Sequence, residues 1–153
     1  MAHTHTRLLV HLVFATKRRA PFIAPELKPD LFAYMVGIFK QHDCFVQAIG
    51  GVADHCHILL DLPSRFALAD VVRKVKASSS KTFREQHPKV GFGWQRGYGA
   101  FSVSPGHAES VKEYIEGQEE HHKQHTLKEE LERLLKIHGL AADPEFIDGL
   151  GDD

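Results

Sequence analysis

Cysteine is scarce in this chain. It has two, Cys44 and Cys56, twelve positions apart and without a Cys-x-x-Cys pair, which argues against a disulfide-stapled exported fold and predicts a reduced, cytoplasmic protein. No export-type leader is recognisable at Met1. No apolar run approaches the roughly 20 residues that a membrane-spanning helix needs, which excludes insertion into a membrane. Repeats and low-complexity tracts are also missing, so solenoids and disordered linkers are out. What remains is 153 residues with 42% hydrophobic content. That is enough for one core and too little for two, so a single domain over 1–153 is expected.

Net charge is also close to absent, at −1 for the whole chain, but its two parts are not neutral. Residues 1–106 carry +7 and residues 107–153 carry −8. A basic body suits phosphate contacts, because Lys and Arg supply most of the sequence-independent affinity for nucleic acid. The acidic helical tail from about residue 126 reads equally well as a solvated helix.

Periodicity supplies the order of elements. His5 to Lys17 is an apolar, β-branched strand ending in the basic cluster Lys17, Arg18, Arg19. Leu27, Leu31, Tyr34, Met35, Ile38 and Phe39 recur at helical spacing. Two strands follow, CFVQAIGGVA and HCHILLDL, with Gly50 and Gly51 suggesting a bulge or bend in the hairpin. Phe66 to Phe83 is a second helix whose Arg73, Lys74, Lys76 and Lys81, with Arg84 just beyond, make it the natural phosphate-facing one. A glycine-rich loop leads to a fourth strand at Ala100–Ser104, and helical segments beginning at His107 and Thr126 complete the chain, with Gly139 as a stop. This order is that of an α+β, ferredoxin-like (split βαβ, RRM-like) antiparallel sheet with helices on one face plus C-terminal helices. The other sheet face is expected to stay open.

In a strand, alternate side chains share a face. Cys56, Ile58, Leu60 and Leu62 therefore form the core side of HCHILLDL, while His55 and His57 point to the other side, where two imidazoles can converge on one cation. Two solvated histidines would give the same pattern. Tyr114 and Gln118 are four apart on the next-to-last helical segment and so lie one above the other. Tyr114 reads as a core aromatic or a nucleophile, whereas the Gln118 carbonyl oxygen can complete a hard-cation site. His11 lies on the neighbouring strand, and parity leaves its face open. His121 and His122 read as part of a solvated run and are set outside the site.

These residues carry a resemblance. DHCHILLDL is similar to the HUH motif, and YIEGQ to the Tyr-x-x-x-Gln helix, of the IS200/IS605-like single-tyrosine transposases; VHLVFATKRRAPF, KVKASSSKTF and GWQRGYGAFSV resemble further segments of that family, in order, over approximately residues 5–135. Cys56 departs from the family, which usually has a bulky aliphatic there.

The resemblance implies a transposase that cleaves and rejoins single-stranded DNA through a 5′-phosphotyrosine, with Tyr114 as nucleophile and His55, His57 and Gln118 holding Mg²⁺ or Mn²⁺. It implies single-stranded DNA with imperfect hairpins as partner. It also implies a homodimer whose composite sites take histidines from one subunit and the tyrosine helix from the other. His11 would support a metal ligand. Lys17, Arg18, Arg19, Arg73, Lys74, Lys76, Lys81 and Arg84, with Trp94, Arg96 and Tyr98, are the candidate DNA-binding residues, gripping phosphates or stacking bases. The alternative is a domesticated, non-catalytic nucleic-acid-binding relative that recognises repeat hairpins. A small metal-dependent hydrolase fits less well, since its usual barrels need a longer chain.

Overall fold

The computed structural model describes residues 3–141 together with 143, 144 and 147. The elements run β1 (Leu9–Ala15), α1 (Lys28–Gln41), β2 (Phe45–Val52), β3 (His55–Asp61), α2 (Leu68–Gln86), β4 (Gly99–Val103), α3 (Ala108–Glu116), α4 (Gln118–His121) and α5 (Leu127–Ile137). The four strands form one antiparallel sheet in the order β2-β3-β1-β4. This is the expected α+β, split βαβ arrangement, with α1 and α2 packed on one face. Among the described residues no helix is long and apolar enough to cross a membrane.

Strand parity sorts the side chains between two layers. Leu12 and Phe14 of β1 and Cys56, Ile58 and Leu60 of β3 pack with Met35, Phe39, Val72, Val75 and Phe83 of the two helices. The opposite face is covered too, which corrects the expectation that it stays open. The reason is its apolar content: Leu9, Ala48 and Leu59 pack under Ile115 of α3, and Val13, Ala15 and Phe101 pack under Leu127, Leu131 and Leu135 of α5. Each leucine on α5 lies one helical turn from the next, so a single stripe seals half of the sheet.

Gly50 and Gly51 serve close approach rather than a bulge. The register shift in the hairpin falls between Val46 and Ala48. A Cβ on Gly50 would lie 2.0 Å from the carbonyl oxygen of Ile115, and one on Gly51 would lie 2.3 Å from that of His55. The end of α3 therefore rests directly on the β2 backbone, which fixes where the residues after Ile115 can go.

Candidate active site

The histidine strand delivers what its alternation predicts. His55 and His57 lie on the face of β3 opposite Cys56 and Ile58, and both are buried. Register places β1 beside β3 with Val13 opposite His57, and His11 on the same side of β1 as Val13. Parity is thereby settled for His11, whose Nε2 lies 2.8 Å from Nδ1 of His57. His55 is oriented from its other end, with Nδ1 2.7 Å from the Asp54 carboxylate. Both imidazoles are held through Nδ1, so both Nε2 atoms face the same interior space.

Helix α3 brings Tyr114 over that space, its ring centroid 5.7 Å from that of His57 and 6.0 Å from that of His11. Helical periodicity is interrupted at Gly117, a poor helix former, which separates α3 from α4. The bond from Gly117 N–H to the Glu113 carbonyl nonetheless keeps Gln118 about one turn beyond Tyr114. Gln118 is buried, its Nε2 donates to the Tyr114 carbonyl at 3.2 Å, and among the described residues its Oε1 has no hydrogen-bond partner. An unbonded buried amide oxygen is costly unless something else satisfies it. That is the property expected of a ligand waiting for a cation.

Two further groups enter the cluster, and neither was expected there. His122, set aside in the sequence as solvated, is half-buried with Nε2 3.0 Å from Nε2 of His55. Glu130 of α5 is 1% exposed along its side chain. Its Oε1 lies 2.7 Å from His57 Nε2, 3.4 Å from His122 Nε2 and 3.6 Å from His55 Nε2. Its Oε2 accepts from the Tyr114 hydroxyl and lies 3.1 Å from His121 Nε2. Ligand atoms of His55, His57, His122 and Glu130 all lie within 4.8 Å of one another, a set able to hold a metal ion.

Sequence alone carried a signal for Glu130. Leu127, Leu131, Leu134 and Leu135 define the inner stripe of α5, and position 130 is three after Leu127 and four before Leu134. A carboxylate on the apolar face of an amphipathic helix is the anomaly to follow.

Burial and charge set the electrostatics. Burial, then the neighbouring His57, holds the pKa of His11 down at about 3. Burial lowers His57 to about 4 against the pull of Glu130. For His55 burial is outweighed by Asp54 and Glu130, which raise it to about 9. Burial alone would raise Glu130, yet hydrogen bonds from His122, His55 and His57 hold it far below the usual carboxylate range. Burial, then the adjoining Glu130 carboxylate, pushes the Tyr114 hydroxyl well above its usual value. In the resting chain this phenol is protonated and donates its hydrogen bond to the ionised Glu130 carboxylate. A cleft of about 170 Å³ lined by His121, His125, Glu129 and Arg133 reaches Tyr114 and Glu130 from outside.

The candidate DNA-binding residues divide differently. Arg73, Lys81, Arg84, Arg96 and the half-buried Tyr98 line a groove of about 660 Å³ between α2 and the 94–98 loop. Lys74 is exposed on the same helix. Lys76, in the wall of that groove, donates to the carbonyls of Gln95 and Gly97 and pins the loop. Trp94 is no free stacking platform, being buried with Nε1 donating to Ser79 Oγ at 2.9 Å and its ring packed edge-on against Phe14 and Phe92. Lys17, Arg18 and Arg19 form a short 3-10 turn after β1. Arg18 is exposed, while Arg19 donates to the Ile147 carbonyl. The structure thus brings Tyr114, His55, His57 and Gln118 together and leaves the basic residues on separate surfaces. In the single chain Tyr114 lies beside the histidines of its own sheet.

Comparison with known proteins bears on the family and the fold. A family model described as "Transposase IS200 like" matches residues 4–118. The transposase for insertion sequence element IS200 of Salmonella typhimurium is 26% identical over 129 residues, covering 80% of this chain and 84% of the relative. The ISDra2 transposase TnpA of Deinococcus radiodurans is 25% identical over 118 residues, covering 73% and 84%. In fold the chain matches a Deinococcus radiodurans protein crystallised as a candidate transposase, with TM-score 0.64, 24% identity and coverage of 77% of this chain and 95% of that one. It also matches a REP-associated tyrosine transposase bound to a REP hairpin, with TM-score 0.53, 14% identity and coverage of 75% and 70%. With three quarters of its length inside the family match, and the histidine strand and tyrosine helix within it, the chain belongs to the IS200-like transposase family.

Proposed function

We propose that the protein cleaves and rejoins single-stranded DNA through a covalent 5′-phosphotyrosine on Tyr114. The observation that carries this reading is the convergence of a half-buried tyrosine hydroxyl and a His/Glu metal-binding cluster on one side of the sheet. A tyrosine packed for its ring alone has no need of such a neighbour.

In this reading Tyr114 Oη attacks the scissile phosphorus, the bond to the 3′-oxygen breaks, and that oxygen leaves as a 3′-hydroxyl after taking a proton. Reversal by another 3′-hydroxyl rejoins strands, so the phosphodiester energy is retained in the phosphotyrosine. Glu130 accepts the hydroxyl proton and aims the phenol. Asp54 and His11 hold the imidazoles of His55 and His57 in the rotation that presents Nε2. Those two nitrogens and the unbonded Gln118 Oε1 are the groups that would hold a divalent cation, Mg²⁺ or Mn²⁺ by resemblance. Such an ion, when bound, neutralises charge that develops on the phosphate in the transition state.

The α2 groove, with Arg73, Lys81, Arg84 and Arg96 along it, supplies the electrostatic track for a hairpin or single strand. The proposal includes a homodimer acting in the cytoplasm on single-stranded DNA with imperfect hairpins; one relative in fold was solved bound to a REP hairpin. Tyr114 serves the histidines of its own chain within it. Incubation with single-stranded oligonucleotides bearing imperfect palindromes and a divalent metal should give an adduct that survives SDS, together with a free 3′-hydroxyl. Tight hairpin binding without any strand scission would instead establish the binding-only reading.

A further inference from the structure

The metal-binding cluster extends past the segment that the family match covers, which ends at Gln118. We propose that His55, His57, His122 and Glu130 form a closed four-coordinate site for a borderline divalent ion of the Zn²⁺ class, completed by α5, and that Glu130 leaves it when a phosphate enters. This deepens the reading above, resting on the same cluster and departing from it in the class of metal.

Geometry is the first support. Around an ion with imidazole and carboxylate ligands at about 2.0–2.1 Å, the donors of a tetrahedron lie about 3.3 Å apart. The His55–His122, His122–Glu130 and His55–Glu130 separations are 3.0, 3.4 and 3.6 Å. His57 and Glu130, at 2.7 Å, are drawn closer by the proton they share. All four donors lie within 4.8 Å of one another, so closing the hydrogen-bonded cluster onto an ion asks most of His57.

Outer partners are already in place. A ligating imidazole nearly always gives its other nitrogen to a carboxylate or similar group, which fixes tautomer and rotation. His55 has Asp54 and His57 has His11 in this role. Glu130 is held through its second oxygen by the Tyr114 hydroxyl and by His121. Its helix is anchored by the stripe Leu127, Leu131 and Leu135 and begins at a capping box between Thr126 and Glu129. Gln118 Oε1, buried and unbonded, is the extra donor one helical turn before His122.

Donor chemistry sets the metal class. Mg²⁺ prefers oxygen ligands in an octahedron and keeps several waters, whereas three imidazoles and one carboxylate suit Zn²⁺ and its neighbours. Burial of Glu130 and His57 also takes the cluster away from bulk solvent. With α5 docked all four positions come from protein, which is the closed form of such a site; catalysis needs one open position. Glu130 holds the nucleophile's hydroxyl through its other oxygen, so on leaving the ion it opens a coordination position while remaining the acceptor of the tyrosine proton.

Metal-free full-length protein titrated with Co²⁺ provides the test, since four-coordinate Co²⁺ absorbs strongly in the visible and six-coordinate Co²⁺ is pale. One equivalent should develop the intense bands, Zn²⁺ should abolish them, and a large excess of Mg²⁺ should leave them unchanged. Glu130→Gln and His122→Ala should each weaken Co²⁺ binding by at least the roughly 10–100-fold typical of losing a mere outer partner, with loss of band intensity. Glu132→Gln, exposed on the same helix, should change neither. Far-UV spectra of the metal-free variants verify folding. Pale six-coordinate spectra, or wild-type affinity and spectrum in both folded variants, would overturn the site. Strand cleavage read on the same samples separates the two proposals. Intense bands without cleavage would support this site and remove the transposase reading. Cleavage sustained by Mg²⁺ in a protein lacking the bands would do the reverse.

Discussion

The two faces of the sheet are both dry and yet differ in kind. Beneath α1 and α2 lie Leu12, Phe14, Cys56, Ile58 and Leu60, with aliphatic and aromatic neighbours. On the other face His11, His55 and His57 of the sheet meet Gln118 of α4 and Glu130 of α5, rimmed by Leu59, Ile115 and Leu131. Burying apolar groups is favourable by itself; burying ionisable ones costs free energy unless each finds a partner. One face therefore makes the fold and the other is maintained at its expense. Cys56 illustrates the first, since burial raises its thiol pKa and it behaves as a small hydrophobe.

The largest effect expected from this contrast is at Tyr114. Tyr114→Phe should reduce the covalent DNA adduct to background while DNA binding, read by gel shift, stays near wild type, because only the hydroxyl is lost. His57→Ala or His55→Ala should cut metal-dependent cleavage by roughly several orders of magnitude. Mixing Tyr114→Phe with His55→Ala subunits sharpens the assignment. A site built within one chain predicts no recovered cleavage despite subunit exchange, whereas recovery would show that the tyrosine helix crosses between subunits.

On the apolar face the expected loss is in stability. Ile58→Ala, on a fully buried side chain, should lower unfolding free energy by about 2–5 kcal/mol in a denaturant titration, with Co²⁺ binding retained by the folded fraction. Smallest of all, Lys81→Ala and Arg84→Ala in the α2 groove should each weaken single-stranded DNA binding modestly and reduce the magnitude of its salt slope by about 1, if each contacts one phosphate. Unchanged slopes would move the DNA track elsewhere.

How far the sequence could be read follows from the same contrast. The apolar face was legible because alternation in HCHILLDL and three- and four-residue spacing in α1 and α2 are local signals. The histidine pair and Tyr114 with Gln118 were legible as a motif. Glu130 and His122 were not, because acidic and histidine-rich runs on a charged helix look solvated until α5 is seen to fold over the sheet. Trp94 went the other way: a lone tryptophan in a glycine-rich loop resembles a base-stacking platform, yet Ser79 and Phe14 hold it in the core. In both cases a tertiary contact decided, and the one local mark was the position of Glu130 among the leucines of α5.

The proposed nucleophile, Tyr114, lies half-buried against the histidine face. Three tyrosines are present, Tyr34, Tyr98 and Tyr114, so the role can be mapped to one residue. The protein would be allowed to react with single-stranded DNA, the DNA trimmed by nuclease, and the tryptic peptides analysed by mass spectrometry for a nucleotide remnant. The account predicts a phosphotyrosine-linked remnant on Tyr114 and on neither other tyrosine. A remnant on Tyr34 or Tyr98, or cleaved DNA with a free 5′-phosphate and no peptide adduct, would contradict it.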